Sequence, residues 1–240
     1  MMCLLALLAV AAPTAWDGKL VEWASMREAI GKGNYQARGD FAKLTSKPHF
    51  YGLAAVAGLK GEATIVDSKL VATEVSCCGS MVPIEEEASE QLQGTYLLGT
   101  YVDAWSQEPI RKALESSAFE SQIRKRKADE SWASAPAFPF LLEGELSNAK
   151  VHVINGACPM HARLQELKIP EDKKPYEKNY ARLQCKVLGF FADNSVGLRT
   201  HPGTSIHAHV IFKDPDTGQE VTAHLERFTV EAQTTLSLPR

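Results

Sequence analysis

The spacing of apolar and polar residues changes period several times along the chain. Residues 1–15 (MMCLLALLAVAAPTA) carry no charged side chain. The apolar run Cys3–Ala12 is too short to span a bilayer but fits the central region of a secretory signal, and Val10-Ala11-Ala12 supplies small residues for cleavage, although no Lys or Arg precedes the run. The pattern predicts a signal peptide over 1–15 and an exported chain, periplasmic or secreted; a buried first strand or helix of a cytoplasmic chain is the alternative. Val21–Lys32 has helical spacing and stops at Gly31-Lys32-Gly33. From Phe50 to Val75 the runs become short and β-like, punctuated by Gly52, Gly58, Gly61 and Asp67-Ser68. TYLLGTYVDAW (95–105) is a further strand. Ser106–Trp132 reads as a helix, with Pro109 in its first turn and Ile110, Leu114, Phe119 and Ile123 on one face. Ala133–Ala137 is the candidate linker. After it come FPFLLEGEL, AKVHVING, RLQCKVLGFFAD, SIHAHVIFKD, EVTAHLERFTVEA and TLSLP, all strand-like, with a charged loop over 168–178. The expected class is α+β: two interlocking β-rich domains with mixed or antiparallel sheets. Residues 16–135 form an N-terminal β-rich domain with helices, and 136–240 a C-terminal β domain.

Composition narrows the function classes. A chain of 240 residues can bury a core without staples. Its 45% hydrophobic and 23% charged content is that of a globular protein, which excludes disordered, collagenous and coiled-coil classes. A net charge of −3 gives no basis for a nucleic-acid partner or a basic membrane-binding face. The one basic run, Arg124–Lys127, is followed at once by Asp129 and Glu130 and reads as a solvated helix terminus. Beyond the leader lie Cys77, Cys78, Cys158 and Cys185. An even count fits an oxidising compartment, and adjacent Cys77 and Cys78 would have to bridge to Cys158 or Cys185; small buried thiols are the other reading. Phosphate-cradling glycine loops and a serine nucleophile elbow are absent from the sequence. NGACPMHA (155–162) gathers Cys158, Met160 and His161 in a soft-metal string, but an ordinary proline-containing loop accounts for it as well.

The most informative segment is SIHAHVIFKDPDTGQEVTAHLERF. Four of the seven histidines (His201, His207, His209, His224) lie in the last forty residues. Alternation puts Ile206, Ala208 and Val210 on one strand face and His207 and His209 on the other. Pro215-Asp216-Thr217-Gly218 has turn chemistry, with Pro presetting φ and Gly accepting a positive φ. Counting outward from that turn pairs Asp214 with Gln219 and brings His209 opposite His224, where Cβ atoms lie about 5 Å apart. The same register sets His207 opposite Glu226. Three imidazoles on one hairpin patch make a zinc-type site with an open fourth position; Cu(II), Ni(II) or Fe(II) would accept the same ligands.

With these motifs in order, the chain resembles the α-acetolactate decarboxylase family, here as a divergent member. Gly52-Leu53, then Gly58-Leu59-Lys60-Gly61-Glu62 and Thr64–Asp67, are similar to the family's glycine-punctuated segment. Leu142-Glu143-Gly144 with Ala149-Lys150, and Leu188-Gly189-Phe190 leading to Pro202-Gly203 and the hairpin, continue the likeness over residues 35 to 239. The resemblance implies zinc on His207, His209 and His224, a site glutamate at Glu62, and two β-rich domains with the metal between them. It also implies decarboxylation of 2-acetolactate, or a similar 2-hydroxy-3-keto acid, to acetoin and CO₂. Two arginines of the family pattern read here as Leu141 and His152, and the family's acidic C-terminal extension, with a second glutamate, is replaced by Leu238-Pro239-Arg240. Lys150, His152 and Arg199 are candidates for the missing positive charge, and Glu226 for a hydrogen-bond partner of a ligand imidazole. The partners expected are a small keto acid and a second copy of the chain in a homodimer, with no membrane span once the signal is removed. A non-catalytic exported metal-binding protein on the same scaffold is the competing reading, followed by a hydrolytic or isomerising metalloenzyme.

Overall fold

The computed structural model describes residues 15–85 and 91–240. The expected signal peptide therefore lies, apart from Ala15, outside the described residues. Two seven-stranded antiparallel sheets account for most of the chain. The first contains β1 (Val21–Trp23), β2 (Gly39–Asp40), β3 (Phe50–Val56), β4 (Gly61–Val66), β5 (Lys69–Val75), β6 (Met81–Pro83) and β7 (Gln93–Tyr101), in the order β1-β7-β3-β4-β5-β6 with β2 beside β7. The second contains β8 (Trp105–Pro109), β9 (Leu114–Glu115), β10 (Phe138–Val153), β11 (Tyr176–Phe191), β12 (Ile206–Lys213), β13 (Glu220–Val230) and β14 (Thr235–Pro239). Its order is β8-β14-β10-β11-β12-β13-β9, and β10 also pairs with β13, so β10 to β13 close on themselves. Helices are few: α1 (Phe41–Thr45), α2 (Ser116–Ala128) and α3 (Pro159–Leu164). The β-rich α+β class is thus the observed one. Among the described residues no helix is long and apolar enough to cross a membrane.

Period-2 alternation explains how the sheets pack. On β4, Ala63 and Ile65 point outward to a small core with Phe41, Phe50, Ala54 and Leu97, which α1 covers. Glu62 and Thr64 point the other way, toward the second sheet; Thr64 Oγ1 lies 2.6 Å from Thr222 Oγ1 on β13. In the main core Phe138, Phe140, Phe190 and Phe191 are fully buried, each worth about 2–3 kcal/mol of transfer free energy; Phe140 meets Phe119 of α2, and Phe138 meets Trp132 just beyond it. Gly61 is required by close approach, because a Cβ there would collide with the Thr73 carbonyl of β5.

Several local expectations change. Val21–Lys32 is not a helix: Val21–Trp23 pairs with β7, Ala24 takes a positive φ, and only Arg27–Gly31 turns, as a single π-helical turn. Ser106–Trp132 is helical only from Ser116. Its first part is β8, paired with β14 at the sheet edge, where proline is tolerated because no ladder donor is needed. Ile110, Leu114, Phe119 and Ile123 are all buried, so the spacing marks core positions rather than one helix. FPFLLEGEL and AKVHVING form a single strand, β10, bent at Gly144 and Asn148, both at positive φ. The linker-like segment after α2 buries Ala135 and Ala137 beside Trp132, whose ring lies 4.5 Å from that of Phe138. The basic end of α2 is surface-paired as expected: Arg124 with Glu120 and Asp193, Arg126 with Glu108 and Glu130. All four described cysteines are free thiols, Cys77 and Cys78 exposed and Cys158 buried, so no disulfide forms among them.

Candidate metal centre

The hairpin turn forms as counted: Asp214 N–H donates to Gln219 O at 2.9 Å, Gly218 has φ 72°, and the Asp214 carboxylate accepts from Thr217 Oγ1 at 3.2 Å. His209 pairs with His224. Beyond that pair, however, β13 leaves β12 and pairs with β10, with His152 opposite His224. His209, His224 and His152 therefore form one row across three strands. His207 sits opposite Phe190 on β11, so the expected His207–Glu226 pairing is not made. Closure of the β10–β13 ring carries Glu226 away from β12: its carboxylate accepts from His152 Nδ1 at 2.8 Å, Lys150 Nζ at 2.9 Å and Arg163 Nη2 at 2.6 Å.

The ligating atoms of His207, His209 and His224 all lie within 4.8 Å of one another, and the three side chains are buried. Ring centroids are 5.1 to 5.5 Å apart. Two rings are oriented from behind. His207 Nδ1–H donates to Arg199 O at 3.1 Å, with the Tyr96 hydroxyl 3.4 Å away. His209 Nδ1–H donates to Ala63 O at 3.2 Å, with Thr64 Oγ1 at 3.1 Å. These bonds assign the proton to Nδ1 and leave the Nε2 lone pair of each ring free, which is how metal-binding histidines are held. Desolvation lowers the pKa of all three, that of His209 to about 3 and those of His207 and His224 well below the usual histidine range. The cluster is therefore uncharged at neutral pH and offers lone pairs, not positive charge, to a divalent cation. The donor set fits zinc and the other transition metals that accept imidazole.

Glu62 reaches the cluster from the first sheet. It is 4% exposed, with Oε2 3.5 Å from His209 Nε2 and Oε1 3.9 Å from His152 Nε2. Burial pushes its carboxyl up to about 8. His152, near the end of β10, is part of this interior, its ring stacked on His224 with centroids 4.6 Å apart. Desolvation holds it neutral, against the opposing pull of Glu226. Glu226 is half-buried, which acts to raise its carboxyl, yet the hydrogen bonds from His152, Lys150 and Arg163 prevail and hold it well below the usual carboxylate range.

The remaining candidates are placed differently. Lys150 is taken up by Glu226 and Glu177. The Arg199 guanidinium forms a two-pronged pair with Glu22 at 2.8 and 2.9 Å, and its carbonyl, not its charge, faces the histidines. Leu141 lies toward the other end of β10, paired with Leu188 and Ser237. Four contributors went unassigned in the sequence: His201, Tyr96, Thr64 and Cys158. Alternation along β4 places Thr64 on the face of Glu62, so that one was legible in principle; the others come from a loop, from β7 and from the start of α3, with no shared period.

The imidazoles, Glu62 and Cys158 enclose a void of about 20 Å³. That volume holds one water or one ion; pockets for small organic ligands span about 300–1,000 Å³. A second chamber of about 240 Å³ lies outside it, bounded by Met26, Arg27, Ile30, His161 and the 196–202 loop. Met26, Ile30 and His201 belong to both walls. A cleft of about 840 Å³ runs elsewhere, past Asp67, Lys69, Lys186 and Glu220, and none of the buried histidines lines it.

No family profile matches the sequence, and no match is found among curated proteins. Solved structures do match. α-Acetolactate decarboxylase from Bacillus subtilis strain 168 superposes with a TM-score of 0.63 at 13% identity, covering 92% of this chain and 85% of that one. A Staphylococcus aureus protein of unknown function, similar to α-acetolactate decarboxylase, gives 0.64 at 14%, covering 91% and 84%. Acetolactate decarboxylase from Bacillus subtilis subspecies spizizenii gives 0.63 at 14%, covering 92% and 85%. The chain has the α-acetolactate decarboxylase fold over nearly its whole length.

Proposed function

We propose that this chain is a zinc-dependent carboxy-lyase that converts 2-acetolactate, or a similar 2-hydroxy-3-keto acid, to acetoin and CO₂. The observation that carries the reading is the convergence of His207, His209 and His224 within 4.8 Å, in a chain with a decarboxylase fold. Loss of CO₂ from such an acid leaves an electron pair that needs a sink and then a proton. His207, His209 and His224 would hold a divalent ion, which would supply that sink as a Lewis acid. The rest falls to the side chains. Ala63 and Arg199 carbonyls fix the rings of His209 and His207. Glu62 is the carboxyl set against the imidazoles, and it delivers the proton to the carbon that lost CO₂. The neutral ring of His152 spends its Nδ1–H on Glu226, so its Nε2 lone pair, beside Glu62, accepts from a substrate hydroxyl.

The size of the inner void favours a second reading, a metal-binding protein without turnover, because about 20 Å³ admits an ion but not a keto acid. One experiment separates the two. Zinc-loaded protein is incubated with racemic acetolactate and scored for acetoin beside Glu62→Gln. Acetoin from the wild type, and none from a Glu62→Gln protein that still holds one zinc, supports the carboxy-lyase. Stoichiometric zinc without acetoin in the wild type leaves the binding reading.

A further inference from the structure

A 2-hydroxy-3-keto acid is an anion, and its carboxylate needs a counter-charge. The inner void is lined by imidazoles and Glu62, with no Lys or Arg. The cations behind it are spent: Lys150 and Arg163 on Glu226 and Glu177, Arg199 on Glu22. The outer chamber is different. No Asp or Glu lines it, whereas the clefts past Glu143 and Glu220, and past Glu171 and Glu177, have acidic walls. It measures about 240 Å³ against about 20 Å³ for the inner void, and Met26, Ile30 and His201 stand in the walls of both.

Arg27 is the guanidinium of that outer wall. It opens the π-helical turn over Arg27–Gly31, which is tied to the loop between β11 and β12: Met26 N–H donates to Leu198 O at 3.0 Å and Arg27 N–H to Gly197 O at 2.7 Å. The loop is itself a tight turn, in which Ser195 O accepts from the backbone N–H groups of Leu198, Arg199 and Thr200 at 2.9, 2.8 and 3.2 Å. The Arg27 side chain runs past Gly31 and lays its guanidinium on Gly197, where a Cβ would meet Nη2 at 3.4 Å and Nε at 3.5 Å; both glycines line the chamber. Arg38, Arg124, Arg163, Arg182 and Arg199 each pair with a carboxylate, whereas Arg27 pairs with none among the described residues. A guanidinium offers two parallel N–H groups to a carboxylate, and does so best in a wall that holds no competing acid.

We propose that the outer chamber is the capture site for a small 2-hydroxy acid anion, with Arg27 as the group that binds its carboxylate. The identity of the acid rests on the carboxy-lyase reading above; the charge and shape of the chamber do not. An apolar hollow with a few convergent polar groups is the usual form of such a site. From the chamber the acid reaches the histidines past Met26, whose unbranched side chain repacks readily.

The test uses the full chain, zinc-loaded and chelator-stripped, with 2-hydroxy-2-methylpropanoate as the probe. That anion has the carboxylate and tertiary hydroxyl of the acid but no ketone, so it is not turned over; its amide is the uncharged counterpart. Dissociation constants are measured by calorimetry for wild type, Arg27→Met, Arg27→Gln and Arg182→Met. The last removes a surface charge paired with Glu145 that lines neither space. Unfolding curves establish that each variant folds, and Arg27→Gln serves if the methionine protein does not. The stripped wild type is expected to bind the anion about tenfold more tightly than the amide, and the Arg27 variants to lose about tenfold for the anion, with Arg182→Met unchanged. In the acetoin assay the loss in the Arg27 variants falls on KM more than on kcat. Equal anion binding by wild type and Arg27 variants, an equal loss in Arg182→Met, or no anion binding by the stripped wild type overturns the capture site, while acetoin from the loaded wild type leaves the carboxy-lyase reading standing. Arg27-dependent binding in a loaded wild type that forms no acetoin supports the capture site and overturns the turnover.

Discussion

Replacing Thr64 by valine probes how the first sheet holds the histidines of the second. Thr64 is fully buried, and its hydroxyl lies 2.6 Å from Thr222 Oγ1 and 3.1 Å from His209 Nδ1. Valine keeps the volume, so no cavity opens; the loss is polar. The Thr222 hydroxyl, also fully buried, is left without its partner, which costs about 1–3 kcal/mol of folding stability. His209 keeps its bond to Ala63 O at 3.2 Å, so its ring is loosened rather than freed. Removing such an orienting contact lowers metal affinity 10–100-fold in general, and the surviving carbonyl bond puts this case near the low end, about tenfold or about 1.4 kcal/mol. Urea unfolding in the presence of chelator reads the first effect, and zinc titration against a competing chelator the second. The double variant Thr64→Val/Thr222→Val removes both hydroxyls. It is expected to regain most of the stability, since paired apolar replacements are nearly neutral, without regaining affinity. Zinc affinity unchanged in Thr64→Val, with stability also unchanged, refutes the claim that β4 orients the His209 ring.

Other outcomes follow from the same geometry. His224→Gln keeps the fold by circular dichroism but loses stoichiometric zinc, because His224 is the central member of the row between His209 and His152; full retention of zinc would mean that the cluster is not the binding site. Gly61→Ala forces a Cβ against the Thr73 carbonyl and should cost about 1–3 kcal/mol in chemical unfolding while lowering activity by displacing Glu62; a neutral result would contradict the close approach of β4 and β5. Thiol labelling at pH 8 should modify exposed Cys77 and Cys78 and spare buried Cys158, whose thiol burial pushes up to about 11, so that its reactive thiolate is scarce. Peptide mapping that finds Cys158 modified as fast as Cys77 would show that the inner void is open to solvent.

The candidate site was legible in the sequence where one local rule determined it. Alternation plus a Pro-Asp-Thr-Gly turn sufficed to set His209 against His224, because a hairpin register depends only on its turn and its period. Glu226 was misplaced because the same arithmetic was extended past His224, where β13 exchanges β12 for β10; nothing within the hairpin announces a third strand. His152 was noticed only as a departure from a family pattern, and its proximity to His224 depends on that same long-range closure. His201 stands in a loop without periodicity, so its burial follows only from the Ser195-centred turn. The mistaken helix over Val21–Lys32 and the overlong one over Ser106–Trp132, helical only over Ser116–Ala128, share a cause: apolar residues a few positions apart, such as Ile110, Leu114, Phe119 and Ile123 at intervals of four or five, suit a helix face but also suit an irregular segment laid against a core. The departures at Leu141 and His152 concern the substrate pocket, where sequence spacing has least to say, and the structure shows Lys150 and Arg199, two candidates for the missing positive charge, committed to carboxylates.

The central claim is that an ion on His207, His209 and His224 turns over a 2-hydroxy-3-keto acid. The most direct measurement is CO₂ release from acetolactate by the zinc-loaded wild type, by the same protein stripped with chelator and then reloaded, and by His207→Ala. The account predicts release by the loaded wild type, loss on stripping, recovery on reloading, and none above background from His207→Ala. Release that survives stripping, or a fully loaded wild type that releases no CO₂, would contradict it.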